Sequence, residues 1–328
     1  MLDPSGRVLY VGKAKRMRVR LLSYFRARGH DKAARILQSA ADISWEYVPS
    51  EFAAHLAELR EIRKWRPPFN VQMNRHRHAV FVSVSSDPAP RLSATTRPSH
   101  PAALHYGPLS SPAQTREAIR VLSDLLGLRD CNQQMPMVFA EQGDLFGAGR
   151  QAGCSRYDFG WCAGPCAGLV SHAGYQDRVN RAVAFLEGRS IVPIDHIVAE
   201  MTRASTEGRY EVAARWRERF EALEWLLAAT TRARAAIELL SFVYQQPGAH
   251  GDDRAYLIRR GVVRASYPWP ATPIEHEAFR AVVASELAVT EPAGPLATGC
   301  IEEMLLVMSW FRRHPDALRR TSPLGEWM

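Results

Sequence analysis

The stretch from Arg7 to Pro68 constrains this chain most. Residues 7–12, Arg-Val-Leu-Tyr-Val-Gly, form a short β-branched run that ends at a glycine, and the cations Lys13, Lys15, Arg16, Arg18 and Arg20 follow at once. The pattern predicts a strand and then a helix entered from the basic stretch, with Lys13, Arg16 and Arg20 on one face at i, i+3 and i+7. Ile43–Val48 reads as another strand. Glu51–Trp65 reads as a helix, because Phe52, Leu56, Leu59 and Ile62 recur at helical spacing and Pro67-Pro68 stops it. Strand, basic helix, strand and amphipathic helix together make a small α/β unit.

Beyond it, Val80–Val84 and Arg91–Thr95 look like strands among prolines and serines, and Ala113–Leu126 like a helix. Residues 172–240 are almost wholly helical in pattern, with apolar positions at Tyr210, Ala213, Trp216, Phe220, Leu223 and Leu227, which suggests a helical hairpin or bundle. After a turn at Gln246–Asp253, Arg254–Ile258 and Val262–Ser266 resemble a β-hairpin, and helices are expected near 274–287 and 300–313. The fold class expected is α+β.

The chain has 328 residues, 46% of them hydrophobic, enough for about two domains with real cores. Its net charge is +8, and the first 80 residues hold 16 basic and 7 acidic side chains, so the remainder is close to neutral. A surplus confined to one quarter points to a polyanionic partner for that quarter. No apolar run approaches the length of a bilayer span and no signal-peptide core opens the chain, so a soluble cytoplasmic protein without a membrane partner is expected.

Tyr10, Lys13, Arg20, Tyr24 and Glu58 are the groups a phosphodiester nuclease can use. One carboxylate suffices for Mg²⁺ or Mn²⁺, which keeps most of its waters and borrows phosphate oxygens. Guanidinium and ammonium groups offset the charge that builds on the phosphoryl oxygens, and a tyrosine hydroxyl can orient or deprotonate water. On pattern alone the same residues also suit a solvated basic face, half-buried packing and an exposed glutamate.

The order Tyr10-Val-Gly-Lys13-Ala-Lys15, Arg20, Ser23-Tyr24-Phe25, Glu58 and Arg66-Pro-Pro-Phe-Asn70-Val71 resembles the GIY-YIG nuclease domain in the N-terminal half of the UvrC/Cho family of excinuclease ABC proteins. That resemblance implies Tyr10, Lys13, Arg20, Tyr24, Glu58 and Asn70 as catalytic residues, with Glu58 as the metal ligand and Asn70 closing the site. Lys15, Arg16 and Arg18 are candidate DNA-binding residues, holding phosphates without reading sequence. It also implies segments at 1–78 (nuclease domain), 79–130 (connector), 131–170 (cysteine-rich), 171–240 (helical) and 241–328 (small α+β region). The family's first strand, with the Gly-Ile/Val-Tyr half of the motif, would precede Tyr10 by about ten residues; here Met1-Leu-Asp-Pro-Ser-Gly stands instead. The expectation is a domain lacking that strand, with an unpaired edge beside Val8–Val11.

Cys131, Cys154, Cys162 and Cys166 fall within 36 residues, with Gly160, Gly164 and Pro165 supplying turns, while Cys300 in an apolar helical setting reads as a core residue. On softness alone, four thiolates suit zinc or an iron–sulfur group equally. Cys154–Gly168 is similar to the cysteine-rich region of the same family, which implies a four-iron four-sulfur cluster with zinc as the alternative. Glu207–Phe220 is similar to the family's UVR hairpin, which implies the damage-loading excinuclease protein UvrB as a partner, with Trp216 and Phe220 as anchors. The function so implied is Mg²⁺-dependent single-strand incision of damaged duplex DNA in nucleotide excision repair. The alternative is a catalytically impaired repair protein that binds DNA or a partner.

Overall fold

A computed structural model of the chain describes residues 1–29, 31–70, 79–98, 100, 102–131, 134–142, 152–289 and 294–328. Val71, expected to close the first motif, lies outside the described residues, as does part of the cysteine-rich segment. The elements in chain order are α1 (Met17–Phe25), α2 (Lys32–Ser39), α3 (Glu51–Trp65), β1 (Val80–Val84), β2 (Leu92–Thr95), β3 (Leu104–Leu109), α4 (Pro112–Leu126) and the short α5 (Ser155–Asp158). They continue with α6 (His172–Leu186), α7 (Val192–Thr206), α8 (Tyr210–Glu238), β4 (Phe242–Gln246), β5 (Arg254–Arg259) and β6 (Val262–Pro268). The last are α9 (Pro273–Ala288), α10 (Thr298–Arg313), a 3-10 turn Pro315–Arg320, β7 (Thr321–Pro323) and a final turn Leu324–Trp327.

The chain divides into two compact units that do not follow sequence order. The first comprises Met1–Arg75, Glu238–Thr290 and Glu302–Met328; the second comprises His76–Ile237 and Glu291–Ile301. Residues from the last quarter of the sequence therefore build the same unit as the basic first quarter.

In the first unit, α3 starts where the Ser50 hydroxyl accepts the Ala53 N–H and stops at Arg66, whose φ of 44° lies in the left-handed region ahead of Pro67. Its apolar stripe, Phe52, Ala53, Leu56 and Leu59, packs with Tyr244, Tyr256, Ile258, Val307, Trp310 and Phe311. These come from an antiparallel sheet of order β6-β5-β4-β7 and from α10. Side-chain alternation explains the sheet. Phe242, Tyr244, Tyr256 and Ile258 face α3 and α10, whereas Val243, Ala255 and Leu257 face Phe279 and Val283 of α9 and Trp327. With both faces covered, β4 and β5 are apolar almost throughout. The β5–β6 hairpin closes at Arg260-Gly261, with φ of 51° and 75°. A side chain at position 261 would meet Met304 at 2.8 Å.

An ion pair between the exposed Arg60 and the buried Glu303 also joins α3 to this layer. Arg60 Nη2 lies 3.0 Å from Glu303 Oε1 and donates to the Val263 carbonyl at 2.9 Å, while the Val263 N–H donates to Glu303 at 2.8 Å. Glu303 is buried and its carboxylate is fully engaged.

Two expectations for the N-terminal sheet are corrected. Met1–Asp3 occupies the edge expected to be unpaired: Leu2 bridges Val8 on one side and Asp42 on the other, with Leu2 N–H to Asp42 O at 2.9 Å and Leu9 N–H to Met1 O at 2.9 Å. The reversal between these arms is set by Asp3, whose carboxylate accepts the Ser5 and Arg7 N–H groups, and by Gly6 at φ 82°. Ile43–Val48 forms no strand, because the Ile43 N–H turns back to the Asp42 carboxylate at 2.7 Å and the ladder ends at Asp42. Arg7–Gly12 is likewise extended with a single bridge at Val8.

In the second unit, a sheet of order β2-β1-β3 packs on α4, and helices α6, α7 and α8 supply Tyr175, Val179, Phe185, Ile197, Leu223 and Leu226 to its core. The 172–240 pattern resolves into three helices, with Gly188 and Gly208 at positive φ in the turns. Trp216 and Phe220 lie half-buried against this core. Tyr210, expected on the apolar face, is exposed, and Cys300 is half-buried. Among the described residues no helix is long and apolar enough to cross a membrane.

Removing the Phe52 ring, which sits edge-on to Tyr244 and Tyr256 with centroids at 5.4 and 4.9 Å, should leave a cavity between α3 and the sheet. Phe52→Ala is expected to lower unfolding free energy by about 3–5 kcal/mol in urea titration, against less than about 0.5 kcal/mol for the exposed Ile274→Ala.

Candidate active site

The side chains singled out in the first unit form two adjoining groups. In one, the Arg20 guanidinium donates to Tyr24 Oη at 3.3 Å and reaches Tyr10 Oη at 3.5 Å, and it lies over the Tyr24 ring at 5.0 Å. The two rings are tilted with centroids 6.0 Å apart. In the other, Lys13 Nζ stands 3.4 Å from Glu58 Oε2. Gly12 joins the groups, since a Cβ there would fall 2.7 Å from the Tyr10 ring and hydroxyl. Only a residue without a side chain lets the chain fold over Tyr10 on its way to Lys13.

The expected cationic helix face does not form. Helix α1 begins at Met17, so Lys13 precedes it and turns to Glu58 while Arg20 turns to the tyrosines. Lys15, Arg16 and Arg18 are exposed, Arg16 being the residue that leads into the helix. Asn70 clamps Val11: its amide donates to the Val11 carbonyl at 2.8 Å and its carbonyl accepts the Val11 N–H at 2.8 Å. One side chain thus replaces a strand partner at the point where Tyr10 leaves the sheet.

Burial pushes the Tyr24 phenol up to about 12, with the Tyr10 hydroxyl adding to the rise and the Arg20 charge opposing it. Tyr24 is therefore a neutral phenol at ordinary pH and holds Arg20 rather than taking protons. The hydrogen bond to Tyr10 is the main cause that raises Arg20. The arrangement supplies two fixed cations, one carboxylate and a tyrosine hydroxyl at the end of an extended segment. Among the described residues no three His, Cys, Asp or Glu side chains converge as a metal-binding group. Such a site suits an ion held by one carboxylate, with water and phosphate oxygens completing its shell.

Sequence reasoning misses His55. It is buried one turn before Glu58, with its ring nitrogens 2.5 and 2.9 Å from Lys13 Nζ and Nε2 3.6 Å from Glu51. The available signal is spacing: Glu51, His55 and Glu58 stand at i, i+4 and i+7 and share one face of α3.

In the second unit, backbone hydrogen bonds draw the cysteine-bearing segments together, Ala163 N–H to Gly127 O at 2.9 Å and Val138 N–H to Pro165 O at 2.8 Å. Arg129, fully buried, braces Cys131. It pairs with Asp87 at 2.7 Å, donates to Ala89 O at 2.6 Å, and reaches Cys131 O at 3.1 Å and Sγ at 3.5 Å. Burial pushes the Cys162 and Cys166 thiols up, and the other cysteines of the set add to the rise at both. The four thiols are soft donors, and among the described residues no three of them converge as a metal-binding group. All five cysteines are free thiols.

Comparison with known proteins gives the class of this domain and of the cysteine-bearing segment that follows it. Residues 1–71 match the family model of the UvrC-like GIY-YIG domain, and residues 79–185 match that of the UvrC/Cho excinuclease middle domain. Together these spans exceed half of the chain, and the chain belongs to the UvrC/Cho excinuclease family. It is 34% identical over 218 residues to the UvrABC system protein C of Pseudoalteromonas atlantica, a match covering 66% of this chain and 34% of that protein. It is 33% identical over 224 residues to that of Pseudomonas entomophila, covering 68% and 35%, and 30% identical over 250 residues to that of Acinetobacter baumannii, covering 75% and 40%. The chain spans little more than a third of the length of these relatives. No solved structure matches it.

Because the Tyr24 phenol is favoured neutral by folding, its contribution is present below the ordinary tyrosine value near 10 and is lost as pH rises through about 12. In a phenolate absorbance titration, Tyr24→Phe should remove a step near pH 12.

Proposed function

We propose that this chain cuts one strand of damaged duplex DNA beside a lesion, as the nuclease of nucleotide excision repair in the cytoplasm, with Mg²⁺ or Mn²⁺. The observation that carries this reading is the pairing of Lys13 with Glu58 beside the Arg20-bridged tyrosines, in a domain of the UvrC-like GIY-YIG family. A divalent ion held by Glu58 would polarise the phosphate and lower the pKa of bound water. Tyr10 orients the attacking water. Arg20 and Lys13 offset charge on the phosphoryl oxygens as it builds. Tyr24 fixes the guanidinium, and Asn70 fixes the backbone from which Tyr10 projects. Lys15, Arg16 and Arg18 hold the DNA backbone.

We assign Cys131, Cys154, Cys162 and Cys166 to a four-iron four-sulfur cluster, with zinc as the alternative. Four soft donors within 36 residues of sequence, one of them braced by a buried guanidinium, support that assignment. The group would staple the loops of the middle segment and takes no part in hydrolysis. The hairpin of α7 and α8 is the proposed contact for UvrB, with Trp216 and Phe220 shaping its surface from half-buried positions.

Purified full chain with Mg²⁺ and UvrB should nick lesion-containing duplex, and Glu58→Gln should reduce the rate by at least about a hundredfold, the scale expected when a metal anchor is lost. Undiminished nicking by that variant would remove Glu58 from the mechanism. Anaerobic purification should give brown protein carrying about four irons per chain, the content of the assigned cluster. Colourless protein with stoichiometric zinc would decide for the alternative.

A further inference from the structure

The C-terminal end of α10 is linked to the candidate active site through buried side chains of the first unit. Lys13 Nζ touches His55, the His55 ring lies 6.2 Å from Trp310, and Trp310 stacks against His314 at 3.9 Å. Within six residues of His314 along the chain are Arg312, Arg313, Arg319 and Arg320, with a single carboxylate, Asp316. Outside the first 80 residues the chain is close to neutral, so this is a local concentration of charge.

All four arginines are exposed. Arg312 and Arg320 make no ion pair with any described residue, and Arg319 meets Asp316 only at 3.9 Å, both side chains being 86% exposed. Such a pair is worth little in water and exchanges readily for a stronger anion. Arg313 spends two donors on Ser309. Compensation of the α10 dipole accounts for cations in the last helical turn, where the helix end carries about half a negative charge. It does not account for Arg319 and Arg320, which stand beyond the helix in the 3-10 turn.

We propose that the corner between α10 and the following turn is a second phosphate-binding surface that grips the DNA backbone flanking the bond to be cut. The C-terminal part of the first unit, Glu238–Thr290 and Glu302–Met328, would then extend the substrate footprint of the nuclease unit as well as seat α3. This inference rests on the proposed function for its location, but its test reads binding alone. Cations that neutralise phosphates release counterions, so each contact steepens the fall of affinity with salt by about one unit of log–log slope.

The measurement is fluorescence anisotropy of full chain with a labelled undamaged DNA duplex, in EDTA, between about 50 and 200 mM salt. R312Q/R320Q should lower the salt slope by about two, which shrinks the affinity ratio across that range by roughly tenfold. R312K/R320K should restore the slope, because lysine also meets phosphate as a point charge. R217Q/R232Q, which changes net charge equally on exposed α8 positions, should leave the slope close to that of the unaltered chain. A slope for R312Q/R320Q equal to that of the unaltered chain, with an unchanged melting temperature, would overturn the proposal, as would failure of the unaltered chain to bind duplex. Nicking with Mg²⁺ is assayed separately, so a chain that binds in this manner without cutting would count against the proposed reaction and leave the surface standing.

Discussion

The seating of α3 is the constraint on which the first unit depends. One side of this helix presents Glu51, His55 and Glu58, the other Phe52, Leu56 and Leu59, and the second side has no partner in sequence proximity. Its partners are Tyr244, Tyr256, Trp310 and Phe311, far downstream in the chain. Each fully buried side chain of this size contributes about 1.5–3 kcal/mol, so the aromatic box outweighs any local propensity of α3. The Arg60–Glu303 pair, tied to the Val263 backbone, adds direction to that adhesion by fixing the rotation of the helix about its axis. Lys13 can reach Glu58 and His55 together only while that rotation holds.

Positioning in the N-terminal segment relies on hydrogen bonds rather than on burial. Leu2 bridges two segments, Asp3 closes a turn through its carboxylate, and Asn70 completes the ladder at Val11. A small domain with few apolar residues must satisfy its backbone groups by such means, because each unsatisfied buried donor or acceptor costs about 1–3 kcal/mol. The second unit uses the same device around its cysteines, where the Arg129 guanidinium is buried with a carboxylate, two carbonyls and a thiol to satisfy it. Its charge lowers the cost of holding sulfur donors close together, which burial and mutual repulsion raise at Cys162 and Cys166.

Periodicity carries far where an element answers to a single face. Helix α3 has the limits its spacing and Pro67-Pro68 indicate, β1 those of Val80–Val84, and the hairpin around Arg260-Gly261 follows from turn chemistry. It fails at Ile43–Val48, where β-branched and aromatic residues look like a strand but the Asp42 carboxylate captures the next N–H and no partner strand is present among the described residues. Strand β4 escapes a reading by period, because Phe242–Gln246 follows a long helical pattern and is covered on both faces, which removes the two-residue alternation. Trp216 and Phe220 illustrate an ambiguity of type: aromatics at helical spacing suit an interface and a core equally, and here they lean on the unit's own core.

The sequence by itself determined the family, the gathering of cysteines along the chain and the confinement of the net positive charge to the first quarter, since these are matters of residue type and order. Only the tertiary structure decided that Lys13 and Arg20 serve different partners, that His55 stands with Lys13, and that Glu238–Thr290 and Glu302–Met328 belong to the first unit. The reason is range. Helical and strand periods report which face of an element is apolar, but not what covers it. The choice among distant partners is made by side-chain volume and by buried polar groups that must be matched, as Phe52 is by Tyr244 and Trp310 and Arg60 by Glu303.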